Sequence, residues 1–269
     1  MRPNEALQVK PEAQAPLPLK SATSRLGWRA IVDLFNRPQP VTLPLVVLLM
    51  IFPVYLFIGK PWMPGQTLHA PEVALDRAIS VRPAWSVIYG SLFLAALLPV
   101  FVVHRQELFR RMVLAFLIMW LVSYGFFLAY PTISPRQNEV IGEGFFVWAL
   151  RAIYSSDTRY NCFPSLHVAQ CFLAALTCYR VHRGVGVVAG VWAFLVAVST
   201  LYTKQHYVLD AIAGASLAYL AYVLLLRSYP REEVPEHERR LAPVLAMGAF
   251  GVYGLVVIGF WLVYLISDT

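Results

Sequence analysis

Seven apolar runs dominate the chain, at about 41–59, 85–103, 112–130, 164–180, 185–202, 207–226 and 241–265. Each approaches the roughly 20 residues that an α-helix needs to cross a hydrocarbon core of about 30 Å. In lipid, every backbone N–H and C=O must find its partner inside the segment, so runs of this length fold as helices. Composition agrees, since 58% of the 269 residues are hydrophobic and 14% are charged. A soluble domain carries about a quarter charged residues. The expected fold is therefore all-α: a polytopic membrane helix bundle, a six-helix core plus one additional C-terminal transmembrane helix. Pro44 and Pro53 predict a kink in the first span, tolerated where neighbouring helices satisfy the freed backbone groups.

The remaining segments divide the chain. Residues 1–40 are polar and proline-rich and form a cytoplasmic N-terminal segment, its first half disordered. Within it "RLGWRAIVDLF" (25–35) alternates apolar and basic residues at helical spacing, as a helix lying on the membrane surface does. The segment lacks the basic-then-apolar pattern of a cleaved signal peptide. The core takes 41–226, a cytoplasmic loop 227–240, and the seventh helix with the C-terminus 241–269. Lys and Arg set the orientation. The N-terminus (six), Arg105, Arg110, Arg111, Arg180, Arg183, Arg227, Arg231, Arg239 and Arg240 make fifteen of the 22 on one side. Lys60, Arg77, Arg82, Arg136, Arg151, Arg159 and Lys204 make seven on the other. The excess places the N-terminus in the cytoplasm and the loops 60–84, 131–163 and 203–206 on the outer face. The net charge of +7 is thus a feature of cytoplasmic loops and calls for no nucleic-acid partner. Cys162, Cys171 and Cys178 make no disulfide framework.

Against this background one stretch is out of place. "NCFPSLHVAQCFLAAL" (161–176) puts an ionisable ring, His167, at the mouth of an apolar run, which is costly unless the ring has a task or a partner. His206 lies 39 residues later. One helix down and one helix up return both histidines to the same face. His206 and Asp210 are spaced i, i+4 and share a helix side. The carboxylate can hold one ring nitrogen and leave the other free and nucleophilic. Ser165, Leu166 and His167 stand at a helix N-terminus, where free N–H groups and the dipole favour a phosphate. Arg136 and Lys204 are cations at the same depth. His206 is the expected nucleophile and His167 the expected general acid and base. Glu139 and Glu143 lie in a loop without paired ligands, so neither metal nor cofactor is expected. Arg151 and Arg159 read as interfacial snorkels, and the segment 142–160 as an amphipathic loop with an aromatic belt (Phe145, Phe146, Trp148).

These residues resemble the type-2 phosphatidic acid phosphatase superfamily of integral membrane enzymes. "PSLH" (164–167) stands for its P-S-G-H motif, with Leu166 in the glycine position. "STLYTKQHYVLD" (199–210) stands for S-R-x5-H-x3-D, with Ser199, His206 and Asp210 correctly spaced and Thr200 in place of the arginine. "SPR" ends the first motif at Arg136 without the upstream lysine or the following proline. "PSLH" with "ST-x-Y…HY-x-x-D" is similar to the inositol phosphorylceramide synthase branch, whose members transfer a head-group phosphate between lipids. The resemblance implies metal-independent phosphoester chemistry on a membrane lipid phosphate and leaves the acceptor open between water and an alcohol, another lipid included. Apart from the resemblance, Lys204, four residues after Thr200, is read as the cation that replaces the missing arginine's charge. A reading of another class is a transporter that uses its histidines as a proton relay. A relay needs ionisable groups through the whole bilayer depth.

Overall fold

A computed structural model of the chain describes residues 54–58 and 66–267. The N-terminal segment, the surface helix expected at 25–35 and most of the first span lie outside the described residues. Of that span, a short helix α1 (Val54–Ile58) is seen. It is followed by α2 (Ala74–Ala78), α3 (Pro83–Val102), α4 (Gln106–Ala129), α5 (Phe145–Ser156), α6 (Leu166–Val181), α7 (Arg183–Tyr202), α8 (Val208–Leu225) and α9 (Glu236–Ser267). Among the described residues there is no strand. Two isolated bridges, His69 with Thr132 and Ile133 with Tyr160, tie the outer loops together.

Five of these helices, α3, α4, α7, α8 and α9, are long and apolar enough to cross a membrane, and α6 is a shorter apolar helix. An all-α membrane bundle is what the apolar runs predicted. Boundaries move by a few residues. α9 begins at Glu236, five residues before the apolar run, because "EHERR" continues the helix with a Glu236–Arg240 pair at i, i+4. One reading changes in kind: the amphipathic stretch taken as a loop holds a twelve-residue helix, α5. Its buried Val147 and Leu150 lie one turn apart, as a helix half-sunk in an interface requires.

α6 is the centre of the bundle, packed against α7, α8, α3 and α4. Most of its residues are buried. The α6–α7 hairpin reverses at His182, which ends one helix and caps the next by accepting from Val185 N–H at 3.2 Å. The reversal is tight: a Cβ on Gly186 would lie 2.3 Å from the Tyr179 Cα. α8 comes equally close to the start of α6. A Cβ on Gly214 would lie 2.3 Å from the Ser165 carbonyl oxygen, and Ser165 N–H donates to the Asp210 carbonyl at 3.0 Å.

That approach generates a prediction. Gly214→Ala should lower stability by about 1–3 kcal/mol, the cost of overpacking a close contact. Gly190→Ala, where an added Cβ meets nothing within 4 Å, serves as the control. Thermal unfolding in detergent measures both, and an unchanged midpoint for Gly214→Ala would contradict the close packing.

Candidate active site

The start of α6, the end of α7 and the start of α8 converge at one end of the bundle. Ser165 is the N-cap of α6, its Oγ accepting from Val168 N–H at 3.3 Å. This fixes the first turn, so His167 leaves the helix at its mouth. The α7–α8 turn is held by Thr200, whose carbonyl accepts from Gln205 and His206 N–H at 2.9 and 3.3 Å. Asp210 caps α8 through Tyr207 N–H, 2.8 Å from Oδ2.

The two histidines meet. His167 Nδ1 lies 2.9 Å from His206 Nε2. His206 Nδ1 lies 3.0 Å from the Cys162 carbonyl and 3.5 Å from Asp210 Oδ2. A carbonyl only accepts, so the Nδ1 of His206 carries the hydrogen and Nε2 presents its lone pair. His167 Nδ1–H then donates to that lone pair. The tautomer follows from the partners. Asp210 is fully buried and its Oδ1 has no partner, so its charge is directed at His206 and the Tyr207 amide. The Cys162 thiol stays protonated, pushed up by burial and then by the Asp210 carboxylate. Cys162, His206 and Asp210 form the one group among the described residues whose donor atoms could gather around a metal ion, all within 4.8 Å of one another.

Arg136 reaches the same end but is occupied by protein. Its Nε donates to Gln205 Oε1 at 2.9 Å, Nη1 to the carbonyls of Asp157 at 2.9 Å and Tyr154 at 3.3 Å. Nη2 donates to the Thr158 carbonyl at 2.9 Å, to Gln205 and, at 3.4 Å, to Asp157 Oδ2. Lys204 turns elsewhere: its ammonium donates to the Asp76 carbonyl at 2.8 Å, from a backbone with φ of 54°. The structure thus brings His167, His206, Asp210, Ser165 and Leu166 together. It sets Arg136 behind them and points Lys204 at Asp76 of α2. Thr200, in the position of the motif arginine, bonds the Ala197 carbonyl at 2.7 Å.

Residues 69–224 match the family model of the PAP2 superfamily. The chain belongs to that superfamily. It is also 28% identical over 114 residues to a PA-phosphatase related-family protein of Dictyostelium discoideum, a match covering 37% of this chain and 21% of that protein. The chain thus spans about a fifth of that relative's length. No solved structure matches. The superfamily match contains α2 to α7, all but the last residue of α8, and both histidines, and leaves α9 outside.

Several residues of this PAP2 site escape sequence reasoning. Asp157 is the chief one. Its Oδ1 accepts from the Tyr55 hydroxyl at 3.0 Å and its Oδ2 from the Tyr89 hydroxyl at 3.1 Å. Oδ2 also lies 3.7 Å from His167 Nε2. His167 therefore stands between His206 on one ring nitrogen and a carboxylate on the other. Asp76 is another: its Oδ1 accepts from Val208 N–H at 2.9 Å, and its Oδ2 from Val73 N–H at 2.8 Å. Neither has a spacing that marks it: Asp76 lies in the five-residue α2 and Asp157 just past the end of α5, and each meets a site partner from across the fold, Val208 for Asp76 and His167 for Asp157.

The Asp157–His167 pairing makes a specific demand. Asp157→Asn removes the charge that favours a doubly protonated His167, so esters with poor leaving groups should slow by about tenfold or more. Esters whose leaving group needs no proton should lose much less. Steady-state rates over a leaving-group series measure the difference, and an equal loss across the series would make Asp157 a structural residue alone.

Proposed function

We propose that the chain is an integral membrane enzyme that cleaves a lipid phosphoester by way of a phosphohistidine on His206. The observation that carries this reading is the His167 Nδ1–His206 Nε2 contact of 2.9 Å, with the Nδ1 of His206 held from behind. PAP2 membership supports a phosphatase-type reaction, and the apolar helices around the site support a bilayer substrate.

The steps follow from the atoms. Substrate phosphate displaces the hydrogen bond between the rings. His206 Nε2 attacks phosphorus, and the P–O bond to the alcohol breaks. His167 gives its proton to the departing oxygen. Water then attacks phosphorus and passes a proton to His167, the N–P bond breaks, and phosphate leaves. The Asp210 carboxylate and the Cys162 carbonyl keep His206 in the productive tautomer. The phosphate oxygens fall to the first-turn N–H groups of Leu166 and His167, which have no intrahelical acceptor, and to the Ser165 hydroxyl. Arg136 contributes charge from behind Asp157. Lys204 retains two ammonium donors beyond the one on Asp76 and is assigned to the phosphate as the surrogate for the motif arginine.

A second reading keeps the chemistry and changes the acceptor. Leu166 in "PSLH" and Thr200 in the third motif favour head-group transfer of the inositol phosphorylceramide synthase type, where His167 deprotonates a lipid alcohol instead of water. The proton-relay reading lacks support: His167, His206, Asp157, Asp210, Arg136 and Lys204 gather at one end of the helices. The excess of Lys and Arg on the opposite loops supports a cytoplasmic N-terminus and a site on the outer face.

Two outcomes test the reading. Rapid quench with a phosphorus-labelled lipid phosphate should trap an acid-labile phosphoenzyme in excess EDTA, and His206→Ala should lack it. Loss of turnover in chelator, restored by a divalent ion, would instead make Cys162, His206 and Asp210 ligands and overturn the nucleophile assignment. Separately, Lys204→Ala should weaken inhibition by inorganic phosphate by about tenfold or more, as expected for losing a charge-assisted contact. Arg77→Ala, exposed and paired with Glu72 at 3.5 Å, should not. Equal inhibition constants would remove Lys204 from the phosphate site.

A further inference from the structure

A cavity of about 510 Å³ opens beside the histidine pair, within the roughly 300–1,000 Å³ of ligand pockets. Its polar end is formed by Asp157 and His167, and His206 is not among its lining residues. Away from that end the walls are mostly apolar, with Phe93 of α3, Trp120 of α4 and Trp148 of α5, and Ser86 and Gln170 are polar side chains among them. A further wall is α9, through Tyr253, Val256, Val257 and Phe260. Tyr253 to Phe260 covers seven residues, about 10 Å of helix.

α9 is unlike the other walls. Its most apolar stretch has no residue buried inside the protein, so the helix leaves most of its surface exposed. Ala242 and Ala246 are buried, and α9 packs on α3. Farther along, it touches α5 through aromatic rings, Trp148 with Phe260 at 6.4 Å and with Tyr264 at 6.0 Å. The cavity lies behind this seam.

We propose that this chamber seats the hydrocarbon of the leaving alcohol, and that α9 determines which chains are accepted. The proposal rests on phospho-His206 chemistry. In phosphoryl transfer the attacking and leaving groups lie in line on opposite sides of phosphorus. With His206 attacking, the leaving oxygen points away from it, toward His167. The cavity begins there. A mostly apolar chamber at that position fits an alcohol whose bulk is hydrocarbon better than a charged head group or a sugar, which would find few polar partners along the α9 wall. The substrate class is therefore a phosphate ester of a long-chain lipid alcohol, with the scissile bond between phosphorus and the lipid oxygen. The freed alcohol leaves through the α5–α9 seam into the membrane, while phosphate leaves on the water side.

The test compares kcat/KM for dodecyl phosphate with that for butyl phosphate. Val257→Trp fills the chamber and should lower the dodecyl-to-butyl ratio by about tenfold or more, the scale on which apolar pockets discriminate. Phe260→Ala enlarges it and should move the preference to branched or longer chains. Leu255→Trp, on the exposed face of α9, should keep the parent ratio. In the His206→Ala protein, an alkyl phosphate carrying a diazirine in its chain should label peptides of α9 and α5. Ratios equal to the parent in both chamber variants, or labelling confined to other helices, would overturn the chamber assignment while leaving the phosphohistidine reading intact. A parent enzyme that cleaves no phosphate ester, yet still labels on α9, would overturn that reading and with it the leaving-alcohol role. Folded state is checked by gel filtration in detergent, and Phe260→Ala, which only removes atoms from an exposed residue, remains informative if Val257→Trp fails to fold.

Discussion

The backbone hydrogen bond from Ser165 N–H to the Asp210 carbonyl, 3.0 Å long, joins the start of α6 to the start of α8. Everything at the candidate site depends on it. It forms because Gly214 has no Cβ, so α8 can lie against the Ser165 carbonyl. With the two helix starts registered, His167 on one and His206 beside the other are within hydrogen-bonding distance. In a protein interior packed like a crystal, a shift of one methyl group at this crossing would be transmitted to both rings.

The cluster also illustrates how a membrane protein tolerates charge. Asp157, Arg136 and Asp210 are half-buried or buried, and each except one oxygen of Asp210 is met by hydrogen-bond partners. Arg136 fills its fork with three carbonyls, an amide and a carboxylate, so its planar donors bind loops that would otherwise move independently. A lysine could not make this set of contacts. Tyr154 reinforces the arrangement, its hydroxyl donating to the Thr203 carbonyl at 2.7 Å while the Arg136 guanidinium lies over its ring at 5.0 Å. These contacts hold α5 against the end of α7, and so hold Asp157 beside His167. The site is thus assembled from loops fixed by polar contacts on a frame fixed by helix packing.

Sequence reading reached some parts of this arrangement and missed others for definite reasons. His206 and Asp210 were legible as a pair because i, i+4 spacing on a helix is a local geometric fact. Ser165 and His167 were legible because a Ser before an apolar run is a helix start. Asp157 was invisible: its partners Tyr55, Tyr89, Arg136 and His167 come from four separate segments. α5 was read as a loop because its apolar residues were weighed as an interfacial belt and not by their helical period. Lys204 was legible as a cation near this end, but not that a left-handed backbone at that residue would place its ammonium on the Asp76 carbonyl.

By itself the sequence determined the helices, since hydrocarbon leaves an apolar run of about twenty residues no other way to satisfy its backbone. It also determined that two histidines and an acid come to one face, because helix rise and membrane thickness together fix where each run ends. Only the tertiary structure decided which nitrogen faces which, that Asp157 stands behind His167, and that α9 closes an apolar chamber beside the pair. Those outcomes depend on contacts between residues far apart in the chain. Such contacts are set by side-chain shape and by the points where glycine lets two backbones touch, and no periodicity in the sequence encodes them.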